Sequence, residues 1–311
     1  MDPLSDILSV LRPQSYVSAG FDAAGPWSVA FRDQRGFLKC YGVVSGACWL
    51  SVSGVEKPVR LEAGEAFVLP TGRDFQLSSD LSLPSTDAAK IIPPGRSGGV
   101  VTLNGGGEVF LIGSRFAVQG IEAGMLLAGL PPIIHLHGEA DRTALRLSVG
   151  QMMDELSAAR PGASLIAEHL AHMMLVQALR AHLEQTPESQ GWLYALADRH
   201  ISAALTAIHA APARKWTLER LAGEAGMSRS GFAQRFRETV GETPIGYLTR
   251  WRMFSAVARH QRQPEPLANL AQEAGYNSEA AFSTAFRRVM GRSFRSYIRD
   301  SGRIGDQVVG F

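Results

Sequence analysis

The chain has 311 residues, 45% of them hydrophobic and 19% charged, with no run of 18 apolar residues. Those figures exclude a single small domain, a disordered polymer and a helical membrane span. The formal net charge of +2 hides an asymmetry: residues 1–189 hold 14 Lys+Arg against 19 Asp+Glu, a net of −5, whereas residues 190–311 hold 17 against 10, a net of +7. Every basic residue of that last third except Lys215 is arginine, the side chain suited to forked contacts with phosphate and base edges. One module is therefore expected to meet a polyanion, a solvated basic face being the plainer alternative.

The opening Met1-Asp-Pro-Leu-Ser-Asp places acids where a secretory leader needs a basic stretch, which points to a cytoplasmic protein with no membrane partner. From Trp27 to about Phe116 the pattern is of short strands broken by Gly and Pro: Trp27–Phe31, Phe37–Val44, Ala47–Val52, Ala66–Leu69 and Val109–Ile112, with a loose Pro/Gly/Ser stretch over 81–107. Such spacing predicts an antiparallel barrel or sandwich. A two-residue turn at Ser45-Gly46 would make a hairpin with Cys40 and Cys48 on opposite faces. Two cysteines supply neither a disulfide framework nor four zinc ligands. The aromatic residues Trp27, Tyr41, Trp49, Phe67 and Phe75 either fill the barrel or line an effector pocket within it.

From Asp141 the period changes. Leu145, Val149, Met152, Met153 and Leu156 share one helical stripe, Arg160-Pro161-Gly162 breaks it, and Leu165–Leu183 forms a second amphipathic helix, together a helical hairpin. Met173–Val176 make that second helix apolar around much of its circumference, which fits either a homodimer contact or burial against the chain's own barrel. His135-x-His137-x-Glu139 has metal-ligand spacing but lies past Pro131-Pro132 with no fourth ligand nearby in sequence, and His169 and His172 share a helix face. No metal is assigned to either set.

The basic third contains an internal repeat. Its first copy reads Leu218-x2-Leu221-Ala222-x2-Ala225-Gly226, Ser228, Phe232, Phe236, Gly241, Pro244, Tyr247; the second reads Leu267-x2-Leu270-Ala271-x2-Ala274-Gly275, Ser278, Phe282, Phe286, Gly291, Phe294, Tyr297. Each copy predicts a helix-turn-helix: a short first helix, a glycine in the left-handed region, a serine cap, then a helix burying a Phe stripe four residues apart. The opposite stripe must face outward, with Ser230, Ala233, Gln234 and Arg237 in the first unit and Ala280, Ser283, Thr284 and Arg287 in the second. Between the units, Pro244–Arg262 reads as one helix of about 28 Å, long enough to hold two recognition helices near the roughly 34 Å repeat of successive major grooves.

These residues resemble the DNA-binding domain of the AraC/XylS family of transcription regulators over Trp192–Arg299, with Phe294 standing where that family usually has proline. The resemblance implies base reading by Ser230, Ala233, Gln234, Glu279, Ala280, Ser283 and Thr284, and phosphate or edge contacts by Arg229, Arg237 and Arg287. Gly64-Glu65-x4-Pro70-x-Gly72 is similar to the second motif of cupins attached to some of these regulators. The positions that hold metal ligands in metal-binding cupins are here Gly42, Val44, Cys48 and Phe75, so the resemblance implies a metal-free sensory domain with no cofactor. The expected fold is a multi-domain α+β chain: a cupin-like effector-binding barrel over 1–140, a helical dimerisation region over 141–189 and an all-α double helix-turn-helix domain over 190–311. The implied partners are double-stranded promoter DNA, RNA polymerase, a small-molecule effector and a second copy of the chain. The implied function is a non-enzymatic regulator, an activator. A metal-dependent cupin oxygenase or isomerase with an accessory helix-turn-helix domain is the competing expectation. It needs the ligands that those four positions lack, and a DNA-repair methyl acceptor of related build needs a zinc-bound cysteine cluster.

Overall fold

The computed structural model describes residues 2–11, 14–92, 99–117, 127, 129–138, 147, 148, 150–152, 154, 155, 160–185 and 191–300. The chain divides into two compact units, one of Pro13–Val118 with Leu130–Gln185, the other of Met1–Arg12 with Gln119–Gly129 and Thr186–Phe311.

In the first unit β1 (Gln14–Ala23), β3 (Phe37–Ser45), β6 (Ala66–Leu69), β9 (Val100–Leu103), β10 (Val109–Ala117) and β11 (Ile134–Leu136) form a sheet in the order β11-β6-β3-β10-β1-β9. A second sheet has the order β5-β4-β7-β2-β8, from β2 (Ser28–Phe31), β4 (Ala47–Val52), β5 (Val59–Glu62), β7 (Phe75–Ser78) and β8 (Thr86–Asp87). Neighbours are antiparallel except for the parallel edge pairs β1/β9 and β2/β8. Along β4 the burial alternates, with Cys48, Leu50 and Val52 buried and the residues between them half-exposed, as the two-residue side-chain period of a strand requires. The inner faces of both sheets meet in one core that includes Phe21, Trp27, Val29, Tyr41, Leu50, Phe67, Phe75 and Leu111.

Ser45-Gly46 is not the hairpin turn its local sequence suggests. β3 pairs with β10 and β6, and β4 pairs with β5 and β7, so the chain changes sheets at this corner. Gly46 has a φ of 72°, and a Cβ there would strike the Glu108 carbonyl, so both backbone and space demand glycine. Long-range register overrode the local turn signal. Cys48 lies in the inter-sheet core and Cys40 is buried outside it. Burial pushes both thiols up to about 12, so neither is a thiolate at neutral pH.

The other face of the six-stranded sheet buries Leu38, Val68, Ile112 and Phe116 beneath α2 (Ala163–Gln185). The helix turns inward Ala167, Leu170, Ala171, Met174, Leu175, Ala178 and Leu179, and His172 meets the Phe116 ring edge-on at 5.3 Å. Met174 therefore belongs to this unit's own core, the second of the two readings of the Met173–Val176 run. The large apolar side chains of α2 that are exposed are Leu165, Ile166 and Met173. The helix expected before α2 falls largely outside the described residues; of its stripe only Met152 is described, and it is buried.

The second unit holds α1 (Pro3–Leu11), α3 (Arg199–Ala210), α4 (Leu218–Glu224), α5 (Arg229–Val240), α6 (Pro244–Arg262), α7 (Leu267–Glu273), α8 (Glu279–Met290) and a further helical stretch over 294–300. α1 packs on α3 and α6 with Leu4 and Ile7 buried. At that contact His209 Nδ1 meets an Asp6 carboxylate oxygen at 3.2 Å and His209 Nε2 meets the Tyr247 hydroxyl at 2.8 Å. The imidazole also stacks on Trp251, 4.0 Å between ring centres.

Candidate nucleic-acid interface

The two helix-turn-helix units are built by the same local chemistry. Thr217 Oγ1 accepts from the Arg220 amide to open α4, and the turn after it closes with Met227 N–H donating to the Ala222 carbonyl at 2.9 Å. In the second unit Tyr276 N–H donates to the Ala271 carbonyl, also at 2.9 Å. These six-to-one bonds need a left-handed residue, supplied by Gly226 (φ 62°) and Gly275 (φ 78°). Ser228 and Ser278 then cap the recognition helices α5 and α8 by accepting from the amides of Gly231 and Ala281. The units differ at α7, where Pro266 occupies the cap position and offers no side-chain bond.

Phe232, Phe236, Phe282 and Phe286 are wholly buried and anchor the inner stripes of both recognition helices. Phe294 replaces the family's proline with a ring. It sits edge-on to Phe286 at 5.1 Å and to His260 at 5.3 Å, so aromatic contacts pack the final turn. α6 runs unbroken from Pro244, preset for a first helical turn and capped by Thr243, to Arg262. α5 packs on α6, and α8 and α7 pack on it as well, so one helix carries both readers.

With the Phe stripes inward, the outward faces follow. Arg229, Ser230, Gln234 and Arg237 are exposed on α5 and Ala233 is half-buried; Glu279, Ala280, Thr284 and Arg287 are exposed on α8 and Ser283 is half-buried. Ala233, Gln234 and Arg237 share a groove of about 590 Å³ with Leu218 and the start of α6. Several arginines of this unit are tied to carboxylates. Arg229 Nε lies 2.8 Å from Glu219, and Arg235 Nε lies 2.6 Å from Asp198. Burial acts against the Asp198 carboxylate, yet the bonds from Arg235, Ile201 and His200 hold it below the usual carboxylate range. Arg250 pairs with Glu242 and Arg259 with Glu265 and Glu273. Arg237 and Arg287, at the far ends of the two recognition faces, have no ion pair among the described residues and remain available to an incoming anion. Arg288, also exposed, adds a charge that periodicity did not single out. Another feature was missed: Gln234 Nε2 donates to Glu238 Oε1 at 2.9 Å, one turn along, and fixes which way the amide points.

Of the aromatic residues expected in the other unit, Trp27, Tyr41, Phe67 and Phe75 lie in the inter-sheet core. Trp49 does not. It sits on the alternate face of β4, half-buried, with the Arg60 guanidinium 5.3 Å from its ring centre. Lys39, which the sequence did not single out, lies at the inner side with its Nζ 5.3 Å from both the Phe31 and Phe75 ring centres. Of the two histidine sets, His135 meets buried Glu65 at 2.9 Å and His137 stands 5.0 Å ring to ring from His135, while Glu139 lies outside the described residues. Among the described residues no group of three or more His, Cys, Asp and Glu side chains is placed to hold a metal.

One chain that carries a two-sheet unit and a double helix-turn-helix packed on one continuous helix has the build of a DNA-binding regulator with an attached cupin domain. The family models agree: the cupin model matches residues 2–184 and a helix-turn-helix domain model matches residues 221–300. The chain is 39% identical to an AraC-like transcription regulator of Streptomyces antibioticus over 96% of its own length and 98% of the relative's. It is 41% identical to another of Streptomyces lividans over 94% and 96%, and 32% identical to the helix-turn-helix regulator AlkR of Acinetobacter baylyi over 97% and 100%. The chain belongs to the AraC-like transcription regulators.

Proposed function

We propose that this regulator is a cytoplasmic, non-enzymatic activator that reads promoter DNA with α5 and α8 in successive major grooves, contacts RNA polymerase, and answers to a small molecule held between the two sheets. The observation that carries the DNA reading is the pairing of two capped recognition helices on the single helix α6, each with an arginine in its last turn that has no ion pair among the described residues. Ser230, Ala233 and Gln234 supply the base contacts of the first half-site, and Glu279, Ala280, Ser283 and Thr284 those of the second. Arg229, Arg237 and Arg287 meet the backbone. The α8 face offers shorter side chains, so shape carries more of its selectivity.

The effector reading is supported by a buried donor on the inner side of the sheets. The Trp27 indole N–H has no hydrogen-bond partner among the described residues, and an unpaired buried donor is costly unless a ligand supplies its acceptor. Homodimerisation is assigned to the face of α2 that carries Leu165, Ile166 and Met173, an apolar stripe left on the surface of the single chain. The deciding experiment is to sequence the genomic fragments that the purified full-length protein retains. Enrichment of a two-part motif with half-sites about one helical turn apart supports the proposal, and retention without any common motif removes it.

A further inference from the structure

Within the inter-sheet core one side chain is out of keeping with the rest. Lys39 on β3 is only 7% exposed, on the same strand face as Tyr41, and its Nζ lies 5.3 Å from the centres of Phe31 and Phe75. Those two rings stack on each other at 4.5 Å and 3°. Directly across the β3/β10 pair stands another cation, Arg115. No carboxylate pairs with Lys39 among the described residues. The composition sharpens the point, since the chain has 27 arginines and only four lysines, and Lys57, Lys90 and Lys215 are all exposed. A site that only had to hold an anion would be served by the permanent charge of the residue this chain uses almost everywhere. Among the described residues Lys39 is the one buried lysine or arginine, and it is the type that can give up its proton.

We propose, on the reading that the inter-sheet space is the effector chamber, that Lys39 is a carbonyl-capturing amine whose ligand is an aldehyde with an apolar, ring-bearing body. The Nζ lone pair attacks the carbonyl carbon and the C=O pair moves onto oxygen. The resulting carbinolamine loses that oxygen together with the two amine protons as water, leaving a C=N bond. The balance needs no oxidant or reductant. Burial, then the Arg115 charge, lower the ammonium to about 7, so the neutral nucleophile is well populated at neutral pH. The surrounding rings keep bulk water from an imine once formed.

The test treats the full-length protein with benzaldehyde over a range of pH, reduces any imine with cyanoborohydride and maps the adduct by mass spectrometry of peptides. The expected result is labelling of Lys39 on the order of tenfold or more faster at neutral pH than of the three exposed lysines, with a rate that climbs through about pH 7 and then levels. The exposed amines should still be climbing toward their ordinary value near 10. Both Lys39→Met, which keeps an apolar stem, and Lys39→Arg, which keeps the charge, should lose that adduct, so a folding failure in one leaves the other to decide. Even labelling of all four lysines overturns the proposal. Absence of a Lys39 adduct in folded protein does so too, and benzoate binding without an aldehyde adduct would reassign the site to anions. DNA retention by the untreated sample is measured alongside, so loss of the adduct with DNA binding intact removes the Lys39 chemistry and leaves the regulator reading standing.

Discussion

At the scale of single residues the first recognition helix separates two kinds of contact. The bond from Gln234 to Glu238 uses one amide hydrogen and leaves the carbonyl and the other N–H for the two-point pairing that adenine offers in the major groove. Gln234→Ala should therefore relax preference at one base position and cost about 1–3 kcal/mol there. Glu238→Ala should blur the same position more weakly, because the amide survives but loses its fixed direction. Arg237→Ala should weaken all sequences alike and flatten the salt dependence by roughly one unit of slope. Binding measured on a panel of single-base operator variants checks all three; uniform losses for Gln234→Ala would place that residue on the backbone instead. Gln234 could be found from helical period alone, since Phe232 and Phe236 set the inner stripe. Glu238 could not, because an acid on a DNA-facing helix looks like solvent exposure until its hydrogen bond is seen. Lys39 was equally hidden, for β3 is buried on both faces from Leu38 to Val43 and a lysine is the residue type least expected within such a run.

At the scale of elements, the local signals were the legible ones. The repeat gave both helix-turn-helix units because their glycine, serine and phenylalanine positions act within a few residues of one another. β1, β5, β7, β8, β9 and β11 went unpredicted, β8 and β9 within the stretch over 81–107 that reads as loose, and the Ser45-Gly46 corner was misjudged, because sheet membership is set by partners far away in sequence. The docking of α1 was also out of reach, Asp6 and His209 being 203 positions apart. Two predictions belong here. Met174 is buried and Met173 exposed on the same turn of α2, so Met174→Ala should cost about 2–5 kcal/mol in urea unfolding. Met173→Glu should leave folding within about 0.5 kcal/mol of the parent and act on oligomeric state alone, read by light scattering. The second prediction concerns His209, whose pKa burial lowers despite the opposing pull of Asp6. A histidine held neutral in the fold binds a proton more readily once unfolded, so its contribution is complete above the unfolded value near 6.5 and is lost as pH falls toward the lower folded value. Unfolding midpoints taken from pH 8 down to 5 should fall across that window. His209→Gln should flatten the fall, and an unchanged slope would mean that another group carries it.

At the scale of the whole molecule, the charge division and the single connecting helix make separate demands on DNA. A net of +7 over residues 190–311 requires that binding weaken steeply with salt, by counterion release from each phosphate neutralised. That property alone would suit any basic protein. The connector is more selective. α6 spans 19 residues, about 28 Å, and both α5 and α8 pack on it, so a continuous helix links the two readers and sets their distance and phase. Five base pairs inserted between the half-sites turn the second groove to the far side of the duplex, and binding should collapse to the level of one half-site. Ten inserted base pairs restore the phase but add about 34 Å, which an unbroken helix cannot bridge, so affinity should stay low there too. Recovery at ten base pairs would mean that each half-site is read by a different chain, or that the readers move independently about α6. Mobility-shift titrations on the parent site and the two insertions, at one fixed salt concentration, separate these cases. A rigid monomeric reader fails on both insertions, whereas two cooperating chains fail only on the first.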